Sequence, residues 1–492
     1  KQVGDYWLAQ GVNRLVFHTS AHQPLDTKPG NVMVGTHLNR NITWAEQAGP
    51  YLAYVARNSF MLQQGVFVAD IAYLLNEGAP STPPIWGAGT RPVPPAGYDF
   101  DFINADVLLN RMTVDQQGRL SLPGGMTYRV LVLPETDRMR PELLRKLREL
   151  VNGGAVIVGS KPRCSPSLME YPAADDDVRT IAEELWGDLD GVSRTIRRVG
   201  RGTVIWGWPL DRVMAAQAIA RDFEASELPG TELAWLHRRT GDADIYYVAN
   251  LTDQAGNLAV RLRVDGKEAE IWRTNPAQIE PAGYSIAEGR TTVSLPLAER
   301  ESAFIVLRHT ARAPVRDLPR ATSTPLLTID GPWELSFPPG GGAPARVTLA
   351  TLLSWTANAE SGIKYFSGTG RYTKTFQMAA EWARHGARLW LELGQVGDLA
   401  EVRVNGHDLG TLWTPPYRVD VTDVLRPGEN ELEIDVTNEW TNRLLGDRVV
   451  PADQKVLNST VAPGGIGAPA VLTESGLMGP VVLVSRSPAP PR

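Results

Sequence analysis

The sequence predicts a multidomain protein in which an α/β half precedes an all-β half. An apolar run near the N-terminus ends on polar side chains, the next stretch alternates apolar strands with helices, and the rest consists of short β-runs between turn residues. In chain order, we predict the end of a (β/α)8 barrel over 1–65, a flavodoxin-like α/β domain over 66–195, a small β domain over 196–312 and a second all-β domain over 327–492.

The first predicted element is a strand over Gly11–His18. A barrel strand of this kind brings polar side chains to the mouth of the barrel, where chemistry is done. Because the run lies so close to the start of the chain, it predicts only the end of a larger barrel. Thr43 and Glu46 have the spacing of a capping box, which predicts a helix that starts there, is kinked or restarted by Pro50, and ends at Gly65.

The α/β domain is predicted from apolar strands joined by a helix. The strands are Val66–Leu75, Arg129–Pro134 and Ala155–Gly159, and the helix runs from about Pro141 to Asn152. Apolar strands that alternate with helices predict a parallel sheet buried on both faces.

Turn residues separate the β-runs of the C-terminal half, which predicts all-β modules. The runs of the first module include Thr203–Trp206, Ile245–Asn250 and Ser302–Leu307. A linker rich in Pro and Arg follows at about 310–326. In the second module, Asn405–Gly406 predicts a hairpin turn.

Composition excludes several classes of function. The net charge of -6 gives no electrostatic reason to expect a nucleic acid or an anionic membrane as partner, and no apolar run approaches membrane-spanning length. Cys164 is the single cysteine, which excludes an internal disulfide and a thiolate zinc cluster. The residues after Lys1 include neither an initiator Met nor a signal peptide, so the location is left open, with a periplasmic or secreted protein favoured over a cytoplasmic one.

The last domain closely resembles the sugar-binding-type jelly-roll sandwich attached to family 2 glycoside hydrolases. The segments that carry this resemblance are Gly368–Phe376, Val402–Trp413 and Pro427–Leu432. Their order and spacing match over roughly 365–443. The resemblance identifies a module and implies no particular reaction.

The N-terminal segments resemble the end of the catalytic domain of the α-L-rhamnosidases of glycoside hydrolase family 106. They are Gly11–Arg14 through His18, His22–Pro24, Pro29–Gly30, Gly35–His37, Thr43–Trp44 and Gln64–Asp70. The following α/β domain, with Tyr128–Pro134, is similar to the same family and to the amidotransferase-like domain of family 42 β-galactosidases. One departure is Leu25, because many family members have an aromatic residue there that can stack on a sugar.

The resemblance implies inverting hydrolysis of terminal α-L-rhamnose by an acid and a base carboxylate, with a calcium ion in the sugar site. Such a pair stands about 6.5–9.5 Å apart to admit a water. We place both catalytic glutamates upstream of Lys1, so no catalytic residue or metal ligand is assigned here, and the residues of this chain require no cofactor. The implied substrate is a rhamnose-containing oligosaccharide, polysaccharide or glycoside. Two alternatives are a non-catalytic carbohydrate-binding and scaffolding fragment and a β-galactosidase-type hydrolase.

The candidate substrate-binding residues are His18, His22, His37, Asn13 and Trp44. His18 ends the predicted strand, where contact with a sugar hydroxyl is natural, and the alternative for each imidazole is a histidine bonded within the protein. A zinc site formed by the three histidines is disfavoured by their spacing. Asn13 is expected to pack below the site, and Trp44 is either a sugar platform or the first apolar residue of its helix.

Acidic residues of the first unit have structural alternatives to catalysis. Glu46 is predicted to cap its helix. Asp70, inside an apolar run, is either an interdomain anchor or a ligand, and the anchor is favoured because a buried carboxylate needs a partner. In the sandwich, Trp413 and Asn405 are the residues to test, although the hairpin turn sufficiently explains Asn405.

Overall fold

The computed structural model describes the following residues: 1–18, 22–24, 26–30, 38–78, 81–83, 89–226, 230, 232–318, 322–383, 388–457, 459 and 471–487. Among the helices in these ranges, none combines the length and the apolar character needed to cross a membrane.

Helices form the regular structure in the described part of 1–65. They are α1 (Gln2–Ala9), a short 3-10 helix (Ala45–Gln47) and α2 (Gly49–Leu62). The predicted strand Gly11–His18 is wrong, because an apolar run becomes a strand only where another backbone pairs with it. This segment instead runs past the end of α2, where the Gln63 side-chain amide donates a hydrogen bond to the Asn13 carbonyl at 2.8 Å.

The start of α2 also differs from the prediction. The Thr43 hydroxyl is buried and has no hydrogen-bond partner among the described residues, and Glu46 is exposed, so the predicted capping box and the capping role of Glu46 are wrong. The helix begins at Gly49 with Pro50 in its first turn. Proline suits that position because its fixed φ is helical and its missing N–H would have no partner within the helix.

The next region contains the elements of an α/β domain and one strand of a neighbouring sheet. In chain order they are β1 (Val66–Phe67), β2 (Ile71–Leu74), β3 (Phe100–Ile103), α3 (Ala105–Asn110), β4 (Thr113–Val114), β5 (Leu120–Ser121), β6 (Thr127–Tyr128), β7 (Val130–Val132), α4 (Pro141–Gly153), β8 (Val156–Val158), α5 (Ala173–Trp186), β9 (Ile196–Val199), β10 (Gly202–Ile205) and α6 (Leu210–Ala216).

The strands of this domain pair in parallel in the order β3-β2-β7-β8-β10, and β9 adds an antiparallel edge. This is the 2-1-3-4-5 order of flavodoxin-like sheets. Helices α3, α4 and α5 cover one face and α6 covers the other, so the central strands are buried on both sides. A small antiparallel sheet, β4-β5-β6, lies beside them.

Two strand assignments need correction. The sequence places Thr203–Trp206 in the all-β module, yet Gly202–Ile205 pairs in parallel with β8, so the α/β sheet extends beyond residue 195. A short buried run of this type has the same composition in either kind of sheet. The predicted single strand Val66–Leu75 is divided, because β1 pairs with a strand of the next domain while β2 pairs with β3 and β7.

The small β domain consists of two packed sheets. Its strands are β11 (Phe223–Ala225), β12 (Leu233–Arg239), β13 (Asp244–Asn250), β14 (Gly256–Leu262), β15 (Lys267–Thr274), β16 (Ala277–Pro281), β17 (Gly283–Ala287), β18 (Arg290–Leu297), β19 (Ser302–Thr310) and β20 (Val315–Arg316). The sheet β1-β12-β13-β19-β15-β16 packs one face against β11-β14-β18-β17-β20. Its other face packs against α1 and α2, which attaches the N-terminal helices to this domain.

The C-terminal domain also has two packed sheets, β23-β22-β24-β30-β27-β28 and β21-β32-β25-β29, around a common core, with a small pair β26-β31. The strands are β21 (Thr322–Thr328), β22 (Trp333–Ser336), β23 (Arg346–Leu349), β24 (Thr369–Met378), β25 (Arg388–Glu392), β26 (Gln395–Gly397), β27 (Leu399–Val404), β28 (His407–Leu412), β29 (Arg418–Asp420), β30 (Gly428–Thr437), β31 (Gly476–Gly479) and β32 (Val482–Ser487). The helices are α7 (Ser361–Lys364), α8 (Thr441–Gly446) and three 3-10 helices (Trp355–Ala357, Ala380–Ala383, Ala452–Gln454) in the described residues.

The predicted hairpin in this sandwich is confirmed. Asn405 and Gly406 join β27 to β28, and both have positive φ, as a type I′ turn requires. The predicted start of the domain at residue 327 falls inside β21, whose first residue is Thr322.

Candidate functional site

The predicted site residues differ in their exposure to solvent and in their contacts. His18 and His22 are exposed to solvent, and His37 lies outside the described residues. Asn13 is half-buried, and its backbone carbonyl accepts a hydrogen bond from Gln63 at the end of α2, while its expected place below the sugar site stays a prediction. Trp44 is half-buried beside Tyr51, with their ring centroids 6.3 Å apart, and precedes a 3-10 helix rather than opening a long α-helix.

Aromatic rings join this segment to α2 and to the sandwich. Tyr51 on α2 contacts Phe17 at 6.1 Å between centroids and Trp413 of the sandwich at 5.3 Å. Trp413 also packs on Tyr54 at 5.1 Å, and its indole N–H donates to the Asn275 side chain at 3.3 Å. The residue before His18 is therefore part of an aromatic cluster that includes a C-terminal side chain.

The residues around His22 are organised by Asn41, which is fully buried. The Asn41 amide donates to Gln23 Oε1 at 3.1 Å, and Asn41 Oδ1 accepts from Lys28 at 3.2 Å. Arg40 donates to the Gln23 carbonyl at 2.9 Å and to Asp26 at 3.0 Å. We call Gln23, Asp26, Lys28, Arg40 and Asn41 the Asn41 network.

Gly30 is needed for this packing. Its φ is +81°, which disfavours other residues. A Cβ there would lie 2.3 Å from Gln23 Oε1 and 2.4 Å from Asn41 Nδ2, so a larger residue would separate the two side chains.

The sandwich contacts this region through side chains that the sequence analysis did not single out. The Trp440 indole N–H donates to the Asn41 carbonyl at 2.7 Å, and the Gln47 amide donates to Glu401 at 3.1 Å. Neither contact has a local signal, because the partners are several hundred residues apart along the chain.

The acidic residues of the N-terminal part are mostly engaged in ion pairs. Asp5 is buried against Lys1 and accepts a hydrogen bond from the Tyr54 hydroxyl, which in turn lies 2.8 Å from Ser302 Oγ. Burial raises the pKa of Tyr54 well above its ordinary value, and the negative charge of Asp5 acts in the same direction. Asp26 pairs with Arg40, and Glu77 pairs with Arg140. These contacts indicate a structural role for Asp5, Asp26 and Glu77.

Asp70 is the predicted interdomain anchor, and this is confirmed. Its two carboxylate oxygens accept hydrogen bonds from Arg263, just after β14, at 3.1 and 2.9 Å. Burial raises the pKa of Asp70, while the Arg263 charge opposes the shift. Arg263 also lies 3.5 Å from Asp222.

Asp222 belongs to a buried chain of charged groups. The His237 ring contacts Asp222 at 2.7 Å and Asp244 at 3.1 Å, and Tyr246 donates to Asp222 at 2.8 Å. Burial alone would lower the pKa of His237, but the two carboxylates outweigh it and raise that pKa. We call Asp70, Asp222, His237, Asp244 and Arg263 the charged junction. Because His237 is 0% exposed, this acid–histidine–acid arrangement has no access to a substrate.

The described residues contain no group of three or more His, Cys, Asp or Glu side chains arranged to hold a metal ion. Calcium in proteins takes six to eight oxygen ligands, and a carboxylate cluster that could supply several of them is not found among the described residues.

Comparison with known proteins identifies relatives over almost the whole chain. Residues 1–286 match the model of glycoside hydrolase family 106, described as alpha-L-rhamnosidase. Residues 358–455 match the galactose-binding domain-like model of glycosyl hydrolase family 2.

Two individual proteins are similar over nearly all of this chain. The structure of a rhamnosidase from Novosphingobium sp. PP1Y superposes with a TM-score of 0.88 at 36% identity, covering 98% of this chain and 45% of that one. A Formosa agariphila protein named "Putative beta-glucuronidase" is 26% identical over 736 residues, covering 99% of this chain and 62% of that protein. The chain thus spans less than two thirds of the length of either relative.

Proposed function

The chain belongs to glycoside hydrolase family 106, the α-L-rhamnosidases, and from this premise we propose that the full-length protein hydrolyses terminal α-L-rhamnosyl residues with inversion. The substrate is a rhamnose-containing oligosaccharide, polysaccharide or glycoside. The family match over residues 1–286 is the observation that carries the proposal, and the similarity of 98% of the chain to a rhamnosidase structure supports it.

In this proposal, residues outside this chain supply the acid and base carboxylates. The acid gives its proton to the glycosidic oxygen as the bond to the anomeric carbon breaks, and the base takes a proton from the water that attacks that carbon from the opposite face. A (β/α)8 barrel would then take its strands from outside the described part of 1–65, whose only regular elements are helices, and the C-terminal domain would be a jelly roll. The engagement of Asp5, Asp26, Asp70 and Glu77 with basic side chains supports assigning the catalytic pair elsewhere.

This chain would contribute side chains that bind the sugar. His18 and His22 are exposed, so their rings are accessible to hydroxyl groups of rhamnose, and we extend the same role to His37. Trp44 and Asn13 would act indirectly, by packing beneath this surface.

A second candidate is β-glucuronidase activity, after the name of the Formosa relative. A uronate needs a basic side chain to pair with the sugar carboxylate. In the Asn41 network, Lys28 donates to the Arg40 carbonyl and to Asn41, while Arg40 pairs with Asp26. Because both cations already have partners, this region suits the neutral sugar better.

The test is an assay of the full-length protein on aryl α-L-rhamnoside, β-D-glucuronide and β-D-galactoside, with NMR detection of the first anomer released. We expect turnover of the rhamnoside with β-L-rhamnose as the first product. Initial release of the α-anomer would contradict inversion, and turnover of only another glycoside would contradict the substrate. Absence of turnover on all three would favour the carbohydrate-binding and scaffolding alternative.

A further inference from the structure

The sandwich presents Trp440 toward the N-terminal region from a firmly held turn. Trp440 lies between β30 and α8, and Asn438 and Asn442 flank it. Both asparagines are buried, and their side-chain amides donate to the same Ser475 hydroxyl, at 3.0 and 2.8 Å. These two buried anchors hold the turn on either side of Trp440, whose own side chain is half-buried.

The indole of Trp440 makes a hydrogen bond to the backbone of the Asn41 network. Its N–H donates to the Asn41 carbonyl at 2.7 Å. Because the acceptor is a carbonyl oxygen, this bond fixes the main chain of Asn41, and the Asn41 side chain then fixes Gln23 at 3.1 Å. Gln23 directly follows His22, so a chain of two hydrogen bonds leads from the sandwich to the residue beside a candidate sugar-binding imidazole.

The other contacts of the sandwich reach elements next to this network. Glu401 bonds Gln47 in the 3-10 helix, and Trp413 packs on Tyr51 and Tyr54 of α2. These contacts set where the sandwich lies. The Trp440 bond is different because it ends on a residue whose side chain directly holds the segment that carries His22.

We propose that Trp440 is a positioning residue for substrate binding, acting through the Asn41 carbonyl on Gln23 and on the backbone at His22. This rests on the proposed function, because it assumes that His22 contacts the sugar. It gives the C-terminal sandwich a role in the sugar site of the N-terminal catalytic unit without any contact between Trp440 and the substrate.

The test is Trp440→Phe in the full-length protein, which removes the N–H donor and keeps most of the ring. Trp390→Phe is the matched control, because Trp390 lies on β25 of the same sandwich and its ring contacts Arg418 and Arg486. We expect Trp440→Phe to raise KM for the rhamnoside about 3–10-fold with kcat nearly unchanged, as the loss of one hydrogen bond predicts. The control should retain the wild-type KM. Unchanged KM in Trp440→Phe, or a lower kcat and Tm with unchanged KM, would overturn the proposal.

Hydrogen exchange separates this proposal from the proposed function. In Trp440→Phe, amides in residues 38–47 should exchange faster than in the wild type, and in Trp390→Phe they should not. Equal exchange in the two variants would overturn the role of Trp440 whatever the enzyme hydrolyses. A wild-type protein inactive on rhamnosides would overturn the proposed function, and the exchange result would still decide whether Trp440 positions this segment.

Discussion

The charged junction and the Asn41 network both connect distant parts of the chain, but they do so with different chemistry. The charged junction is buried and ionic, and its carboxylates are each matched by a histidine or an arginine. The Asn41 network places exposed side chains, such as Asp26, around the buried Asn41, and in the described residues a hydrogen bond between neutral groups links it to the sandwich. Breaking a buried ion pair leaves a charge without compensation, whereas the loss of one hydrogen bond between neutral groups costs less stability. We therefore expect variants of the first to affect folding and variants of the second to affect activity.

The largest expected effect is on the charged junction. Arg263→Ala removes both hydrogen bonds to Asp70 and the cation near Asp222, and should destabilise the protein by about 3–5 kcal/mol. Thermal or urea unfolding measures this loss. Arg261→Ala is the control, because Arg261 pairs with the exposed Glu288 and should cost at most about 1 kcal/mol. Equal losses of stability in the two variants would show that the buried ion pair of Arg263 contributes no more to stability than the exposed ion pair of Arg261.

The next effect concerns His18 in the full-length protein. If its ring binds the sugar, His18→Ala should lower kcat/KM about 10–100-fold, equivalent to about 1.4–2.7 kcal/mol of transition-state stabilisation. Because His18 is exposed, Tm should change little. A variant that loses several degrees of Tm while its folded fraction keeps full activity would assign His18 a structural role.

The charged junction should also make stability depend on pH. The folded protein holds the His237 proton to a higher pH than the unfolded chain does, because Asp222 and Asp244 raise its pKa against the effect of burial. This contribution is complete below about pH 6.5 and is lost as the pH rises through the folded pKa. Asp222→Asn removes one of the two charges, so Tm should fall less steeply above pH 6.5 than in the wild type. A steeper fall in the variant would contradict the sign of the shift.

The smallest effect is expected at Trp413. Trp413→Phe loses the hydrogen bond to Asn275 but keeps an aromatic ring between Tyr51 and Tyr54, so it should cost about 0.5–1.5 kcal/mol. Thermal or urea unfolding of Trp413→Phe and of Trp390→Phe compares the stability that each variant loses. A large rise in KM with no loss of stability would instead mean that the aromatic cluster shapes the sugar site.

Elements with local signals could be predicted from the amino-acid sequence alone. The helix predicted at about Pro141 to Asn152 is observed as Pro141–Gly153, because proline suits a first turn and the glycines that follow end the helix. The Asn405–Gly406 turn follows from the positive φ that its residues tolerate. Asp70 was identified as an anchor because a carboxylate in an apolar run needs a partner, although nothing in the sequence identified Arg263 as that partner.

The way in which these elements combine depends on contacts between distant parts of the chain. Val66–Leu75 reads as one strand, and its division between two sheets depends on which backbones meet it. Gly11–His18 has the pattern of a strand but pairs with no strand in the part of the chain that the structure describes. The bond from Trp440 to Asn41 joins residues 399 positions apart, and its acceptor is a backbone carbonyl that every residue type carries. Local propensity cannot specify such a contact, because it arises only when separately formed domains pack against each other.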